Sequence, residues 1–255
     1  MKASPTLRAL FYLLVSLFGI VLGGLFPVPF SSLIHLLFVG VLLLFEKRVF
    51  SGEASPSFAI PSLWHFPRLW LLLSPFLFCT LGMNLLSAKM TVAMGGTVPT
   101  VTPSLPLFLS AVLLSPLAEE LLFRGLLLRL FRPFGDAWAI ALTAVLFALA
   151  HGSLFQMPYA LAAGLLLALV AALSRGLAFP ICFHVFYNLL AFFGRDIPKA
   201  SLLWSLGGLA LFSLVLFLLG ERPRLEKGGE KPSGKQLFPL LLYAVTMTAL
   251  AIFNF

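Results

Sequence analysis

The chain is 255 residues long, 60% hydrophobic and 10% charged, with a formal net charge of +8 and a mean hydropathy of +1.06. A soluble chain carries about 25% charged residues, so a soluble domain is excluded and a polytopic α-helical membrane protein remains. The basic residues lie in short segments between apolar runs, without a basic face interleaved with aromatics, so no nucleic acid partner is expected.

Apolar runs fall at about 7–26, 30–45, 67–87, 105–131, 137–155, 157–174, 178–194, 201–219 and 237–255. The expected fold is all-α: a polytopic transmembrane helical bundle with about 8–9 spanning helices, residues 1–255 forming a single membrane domain. The second and seventh runs are short for a hydrocarbon core of about 30 Å. Lys2 and Arg8 precede the first run as in a signal peptide. That run is about 18–20 residues long and no A-x-A-like site follows it, so an uncleaved first helix is expected. Longer connections cover 46–66 and 89–103, and a charged loop, 221–236, precedes the last helix.

Lysine and arginine set the orientation. With a cytoplasmic N-terminus, 13 of them (Lys2, Arg8, Lys47, Arg48, Arg68, Arg129, Arg132, Arg175, Arg222, Arg224, Lys227, Lys231 and Lys235) fall inside. Only 3 (Lys89, Arg195 and Lys199) fall outside. The expected location is therefore a cytoplasmic membrane, the compact loops suggesting a prokaryotic one, with membrane lipid as surroundings. Cys79 and Cys182 lie in apolar runs and read as small core residues, with no disulfide framework.

Of the nine acidic residues, seven (Glu46, Glu53, Asp136, Asp196, Glu221, Glu226 and Glu230) fall in segments that read as loops or helix ends. Glu119 and Glu120 alone lie deep in an apolar run, within Ser115-Pro-Leu-Ala-Glu-Glu-Leu-Leu-Phe-Arg-Gly125. An ionisable group at bilayer depth costs roughly 2.5–3.5 kcal/mol, so such residues mark function and need partners. On a helix Glu120 and Arg124 are i,i+4 neighbours and can pair, while Glu119 points about 100° away. Two further segments carry polar groups inside apolar helices: Phe147-Ala-Leu-Ala-His151, and His184-Val-Phe-Tyr-Asn188, whose i,i+4 spacing puts imidazole and carboxamide on one face. His35 and His65 are isolated and read as structural or surface residues.

A carboxylate beside an imidazole can hold and deprotonate a water. A second histidine and an asparagine amide can donate to the oxyanion of a tetrahedral intermediate. These parts support amide hydrolysis with Glu119, His151, His184 and Asn188 as the catalytic set and Glu120, Arg124 and Phe147 as structural support. The same Glu119, His151 and His184 could instead ligate Zn²⁺ with a fourth position for water, although the H-E-x-x-H spacing is absent. Two other readings stand beside the enzyme: a non-catalytic membrane scaffold or bacteriocin-immunity protein, and a proton- or cation-coupled transporter. The transporter lacks a visible inverted repeat.

At these residues the chain resembles the CAAX protease and bacteriocin-processing (CPBP, or Abi) family of intramembrane peptidases, which includes the type II CAAX prenyl endopeptidases. The family signature E-E-x-x-x-R, then F-x-x-x-H, then H-x-x-x-N is matched in order by Glu119/Glu120/Arg124, Phe147/His151 and His184/Asn188. The resemblance covers roughly 115–190 and implies a catalytic core within 105–194. It implies that Glu119 with His151 activates water, that His184 and Asn188 form the oxyanion site, and that Glu120 pairs with Arg124. The implied substrate is a protein or peptide with a membrane-associated, in some cases prenylated, C-terminus. The family has been labelled both glutamate-type and metal-dependent, so zinc stays open. With straight helices, Glu119 and His184 fall near mid-membrane but His151 falls nearer the non-cytoplasmic end. A tilt, or a fifth helix starting deeper, would bring them together. The helix around Gly164 suits close packing beside such a site.

Overall fold

A computed structural model describes residues 4–49, 67–98, 102–193, 199–220, 225–229 and 231–253. His65 and most of the 46–66 connection lie outside the described residues, as do Lys2, Arg195, Arg222 and Arg224. Within them run nine helices and no strand. These are α1 Pro5–Gly23, α2 Phe30–Val49, α3 Leu73–Ala93 after a 3-10 turn Pro67–Leu72, α4 Leu105–Phe134, α5 Asp136–Ala150, α6 Met157–Ser174, α7 Ala178–Phe193, α8 Lys199–Leu219 and α9 Gly234–Phe253.

Serines set two of the starts. Ser4 and Ser104 each accept the backbone N–H three residues on, at 3.3 Å, with a proline in the first turn. Seven helices are long and apolar enough to cross a membrane, and α5 and α7 are shorter. The second helix extends to Val49 and is a full span. The fifth ends at Ala150, five residues before its apolar run does, because Gly152 adopts φ +58 in the turn that follows. Outward-facing helix surfaces are apolar; α8 exposes Trp204, Leu211, Phe212 and Leu219, as a lipid-facing helix must.

The long helix α4 sits at the centre, packed against α1, α2, α5 and α7. It is not a uniform α-helix: Leu109–Leu114 and Leu121–Leu127 wind as π-helix. Such wide turns are rare and recur at functional sites. The first has a visible cause. In the wide register Ser115 N–H bonds the Ser110 carbonyl, so the next donor, for Ala111, would be residue 116. That residue is proline and has no N–H.

Two polar clusters depart from the sequence reading. Glu46, expected in a loop, is fully buried on α2 and takes hydrogen bonds from Arg8 and Tyr12 of α1, tying the first hairpin together. Asp136 is buried at the α4–α5 corner, where it meets Arg132 at 3.4 Å, Arg175 at 3.2 Å and the Glu226 backbone N–H at 2.8 Å. In both places the buried carboxylate is offset by arginine from a neighbouring helix, which sequence distance conceals. Cys79, expected in the core, is exposed on α3, and Cys182 is partly buried.

Candidate active site

The three motifs come from α4, α5 and α7 and converge on Glu120. Arg124 Nη1 donates to Glu120 Oε1 at 3.0 Å, the expected i,i+4 pair, and both side chains are sealed from solvent. His184 Nδ1 lies 2.8 Å from the same oxygen. A carboxylate only accepts, so Nδ1 carries the hydrogen and Nε2 is turned towards Glu119, 3.8 Å from its Oε2. Arg124 Nη2 donates to the Gly164 carbonyl of α6 at 3.3 Å. Its guanidinium also stacks over the Phe147 ring, 4.4 Å from the centroid. Phe147 further makes edge contacts with His151, at 4.8 Å between ring centroids, and His184, at 5.9 Å. Removing one partner of such a buried ion pair typically costs about 3–5 kcal/mol, so Glu120 and Arg124 hold the site's frame.

Glu119 is different. Its side chain is 24% exposed, and the exposed part lines a cavity of about 330 Å³. His151 lines the same cavity. Its Nδ1 lies 2.8 Å from the Phe147 carbonyl and so carries a hydrogen, leaving Nε2 as the free nitrogen. The depth difference expected for His151 is resolved by helix length. At about 1.5 Å per residue, the 15 residues of α5 cover about 22 Å, less than a core about 30 Å thick, and this short helix carries His151 to the cavity that Glu119 lines.

His184 and Asn188, expected as oxyanion donors, have other partners here. His184 is held by Glu120. Asn188 Nδ2 donates to the Ala111 carbonyl at 2.7 Å, filling the place of the donor that Pro116 lacks. Neither residue lines the cavity. Among the described residues no three His, Cys, Asp or Glu side chains gather around one point, so Glu119, His151 and His184 do not form a ready-made zinc site in this arrangement.

The sequence reading missed the rest of the cavity lining. Ser16 and Leu17 of α1, Ser31, Ser32 and His35 of α2, Ser115 of α4 and Tyr243 of α9 line it together with Glu119 and His151. Ser32 is hydrogen-bonded to Ser110 and, at 3.0 Å, to Ser115. A signal was available: His35 stands four residues after Ser31 and three after Ser32 in an otherwise apolar run, so the imidazole shares a helix face with both hydroxyls. The deep end of the cavity is closed by the buried Leu13, Leu122 and Phe123. Its mouth lies where α1 ends and α2 begins, at Ile20, Gly24 and Ser31, with Ile20 and Gly24 exposed.

Residues 100–190 match the family model described as type II CAAX prenyl endopeptidase Rce1-like. The match contains α4 to α6 and α7 as far as residue 190, with all three motifs, and does not reach α1, α2 or α9. No curated protein and no solved structure matches the chain.

Proposed function

We propose, from the premise that this chain belongs to the CAAX protease and bacteriocin-processing family, that it is an intramembrane endopeptidase using a glutamate-activated water. The observation that carries the reading is that a carboxylate and an imidazole, Glu119 and His151, line the same cavity between apolar helices. The fixed Glu120–Arg124–His184 cluster directly behind Glu119 supports it.

In this mechanism a water lies between the Glu119 carboxylate and His151 Nε2. Glu119 takes its proton as the water oxygen attacks the scissile carbonyl carbon. The tetrahedral oxyanion then collapses, the C–N bond breaks, and the proton passes to the leaving nitrogen, giving a carboxyl and an amine terminus. His184 positions Glu119 from behind, through a ring held by Glu120. Asn188 keeps the wide turn of α4 in shape and so fixes the approach to Glu119.

The substrate is a membrane-associated protein or peptide cut near its C-terminus. With the N-terminus cytoplasmic, the cavity mouth at Gly24 and Ser31 opens on the non-cytoplasmic face. That favours a bacteriocin-like peptide or a C-terminal sorting helix over a prenylated cytosolic tail. The test is cleavage of a farnesylated CAAX peptide and of a peptide ending in a hydrophobic sorting helix, by purified protein in detergent. Wild type should cleave one of them, with or without chelator, and Glu119→Gln should lower the rate by about 100-fold or more. Cleavage that survives in Glu119→Gln would remove the assigned base. Loss on chelation would return the site to metal chemistry.

A further inference from the structure

Where α4 and α6 both end, beside the buried Asp136, lies a second and smaller pocket. Arg124, Leu128, Arg129 and Arg132 of α4 and Arg175 just past α6 line it, and the lining contains no acidic residue. Its volume is about 10 Å³, room for one water-sized group such as a single phosphoryl oxygen.

Three of these arginines are matched by carboxylates outside the lining. Arg124 pairs with Glu120, Arg132 with Asp136, and Arg175 with both Asp136 and Glu226. Arg129 is half-buried and makes no hydrogen bond or ion pair among the described residues. It also stands close enough to Arg132 to feel its charge. A half-buried cation beside a like charge is costly unless an anion offsets it. Arg124 keeps a donor in reserve as well: Nη1 and Nη2 are engaged by Glu120 and Gly164, but Nε is sealed from solvent without a partner.

The position suits a lipid headgroup. At about 1.5 Å per residue the 30 residues of α4 cover up to about 45 Å, against a hydrocarbon core about 30 Å thick. The helix is thus long enough to carry Arg129 and Arg132, in its last two turns, to the headgroup layer. Under the positive-inside orientation that layer is the cytoplasmic one, where basic pockets between transmembrane helices bind anionic headgroups. We infer that this pocket binds a phosphate group, one oxygen entering between the arginines and Arg129 supplying the unmatched charge, and that an anionic phospholipid provides it. The bound headgroup would rest beside Arg124, at the back of the Glu120 frame and outside the cavity that Glu119 lines. The inference does not depend on the peptidase reading.

The experiment titrates the purified full chain in neutral detergent with phosphatidylglycerol, with phosphatidylcholine, and with sodium phosphate at fixed ionic strength, reading the melting temperature. Arg129→Gln and Arg129→Lys are compared with wild type and with Arg48→Gln, which removes an exposed charge at the end of α2 and leaves the pocket untouched. Saturating phosphatidylglycerol should raise the melting temperature of wild type by about 5 °C over phosphatidylcholine. Arg129→Gln should melt no lower than wild type without lipid, because an unmatched charge is removed, and should need about tenfold more phosphatidylglycerol for the same shift. Arg129→Lys should keep most of the response, and Arg48→Gln all of it. An equal response to sodium phosphate would keep the phosphate site and overturn its lipid source. Identical curves with both lipids and no response to phosphate would overturn the site. Equal weakening in Arg129→Gln and Arg48→Gln would overturn it too, as the mark of a diffuse basic surface. An Arg129→Gln that melts lower without lipid yet keeps the full phosphatidylglycerol response would assign Arg129 to packing instead.

Discussion

At the scale of single residues, the site separates side chains that hold the frame from side chains that face the cavity. Asn188 shows how a residue of a catalytic signature can act through the backbone. The Ala111 carbonyl loses its donor because position 116 is proline, and Asn188 supplies the missing N–H from α7. Asn188→Ala should therefore lower stability by about 1–3 kcal/mol, the cost of orphaning a buried acceptor. In Pro116→Ala the backbone N–H returns, and Asn188→Ala made on that background should cost about 1 kcal/mol less. Detergent unfolding of the four proteins of this cycle measures the coupling, and additive losses would show that Asn188 stabilises by some other route. Most residues of both sets were legible in the sequence. Glu119, Glu120, Arg124, His151 and His184 are polar groups that an apolar helix must justify, and the i,i+4 spacing of Glu120 and Arg124 foretold their pair. His35 and Glu46 were not legible in the same way. Each has partners on another helix, Ser16 and Arg8, and nothing local distinguishes a lone polar residue serving a cavity from one serving a helix contact.

At the scale of elements, close packing of α5 against α6 sets the position of both Phe147 and the Arg124 anchor. A Cβ placed on Gly164 would lie 3.0 Å from Ala144 Cα and 3.1 Å from its carbonyl oxygen, so the two helices touch backbone to backbone. The same glycine offers its carbonyl to Arg124. Gly164→Leu should push α6 away, with an overpacking cost of about 1–3 kcal/mol, and take the second acceptor from Arg124. Gly164→Ala should cost less, because a single methyl needs a shift of only a few tenths of an ångström. A rank order in melting temperature of wild type, then Ala, then Leu checks this, and equal stability of all three would deny the contact. The nine helices and the small-residue face of α6 follow from apolar runs and composition. The π turns of α4 and the early stop of α5 do not. Their causes are a missing donor at Pro116 and a positive-φ glycine after the helix, both single residues inside long apolar stretches where periodicity is silent.

At the scale of the whole molecule, the direction of the cavity and the distribution of charge make one statement about access. The turn at Gly135, the end of α6 at Arg175 and the segment Leu225–Gly229 share one end of the bundle, joined by Arg132, Asp136, Arg175 and Glu226. That is the basic end, cytoplasmic under the orientation proposed here. The cavity mouth at Gly24 and Ser31 lies one helix length away, at the opposite end of α1. A cysteine at the mouth should therefore meet a membrane-impermeant maleimide in intact cells, and a cysteine at the basic end should not. Ser31→Cys and Gly229→Cys, each made with Cys79 and Cys182 replaced by alanine, provide the pair; Gly229 has open space around it, so the new side chain fits. Labelling of Ser31→Cys in intact cells, with Gly229→Cys labelled only after permeabilisation, is the expected pattern. Modification at Ser31 should also block peptide cleavage, since the maleimide would stand in the cavity that Glu119 lines. The reverse pattern would place the mouth in the cytoplasm. The substrate would then be a cytosolic C-terminus, and the positive-inside count would have been overruled by the packing of the two short helices.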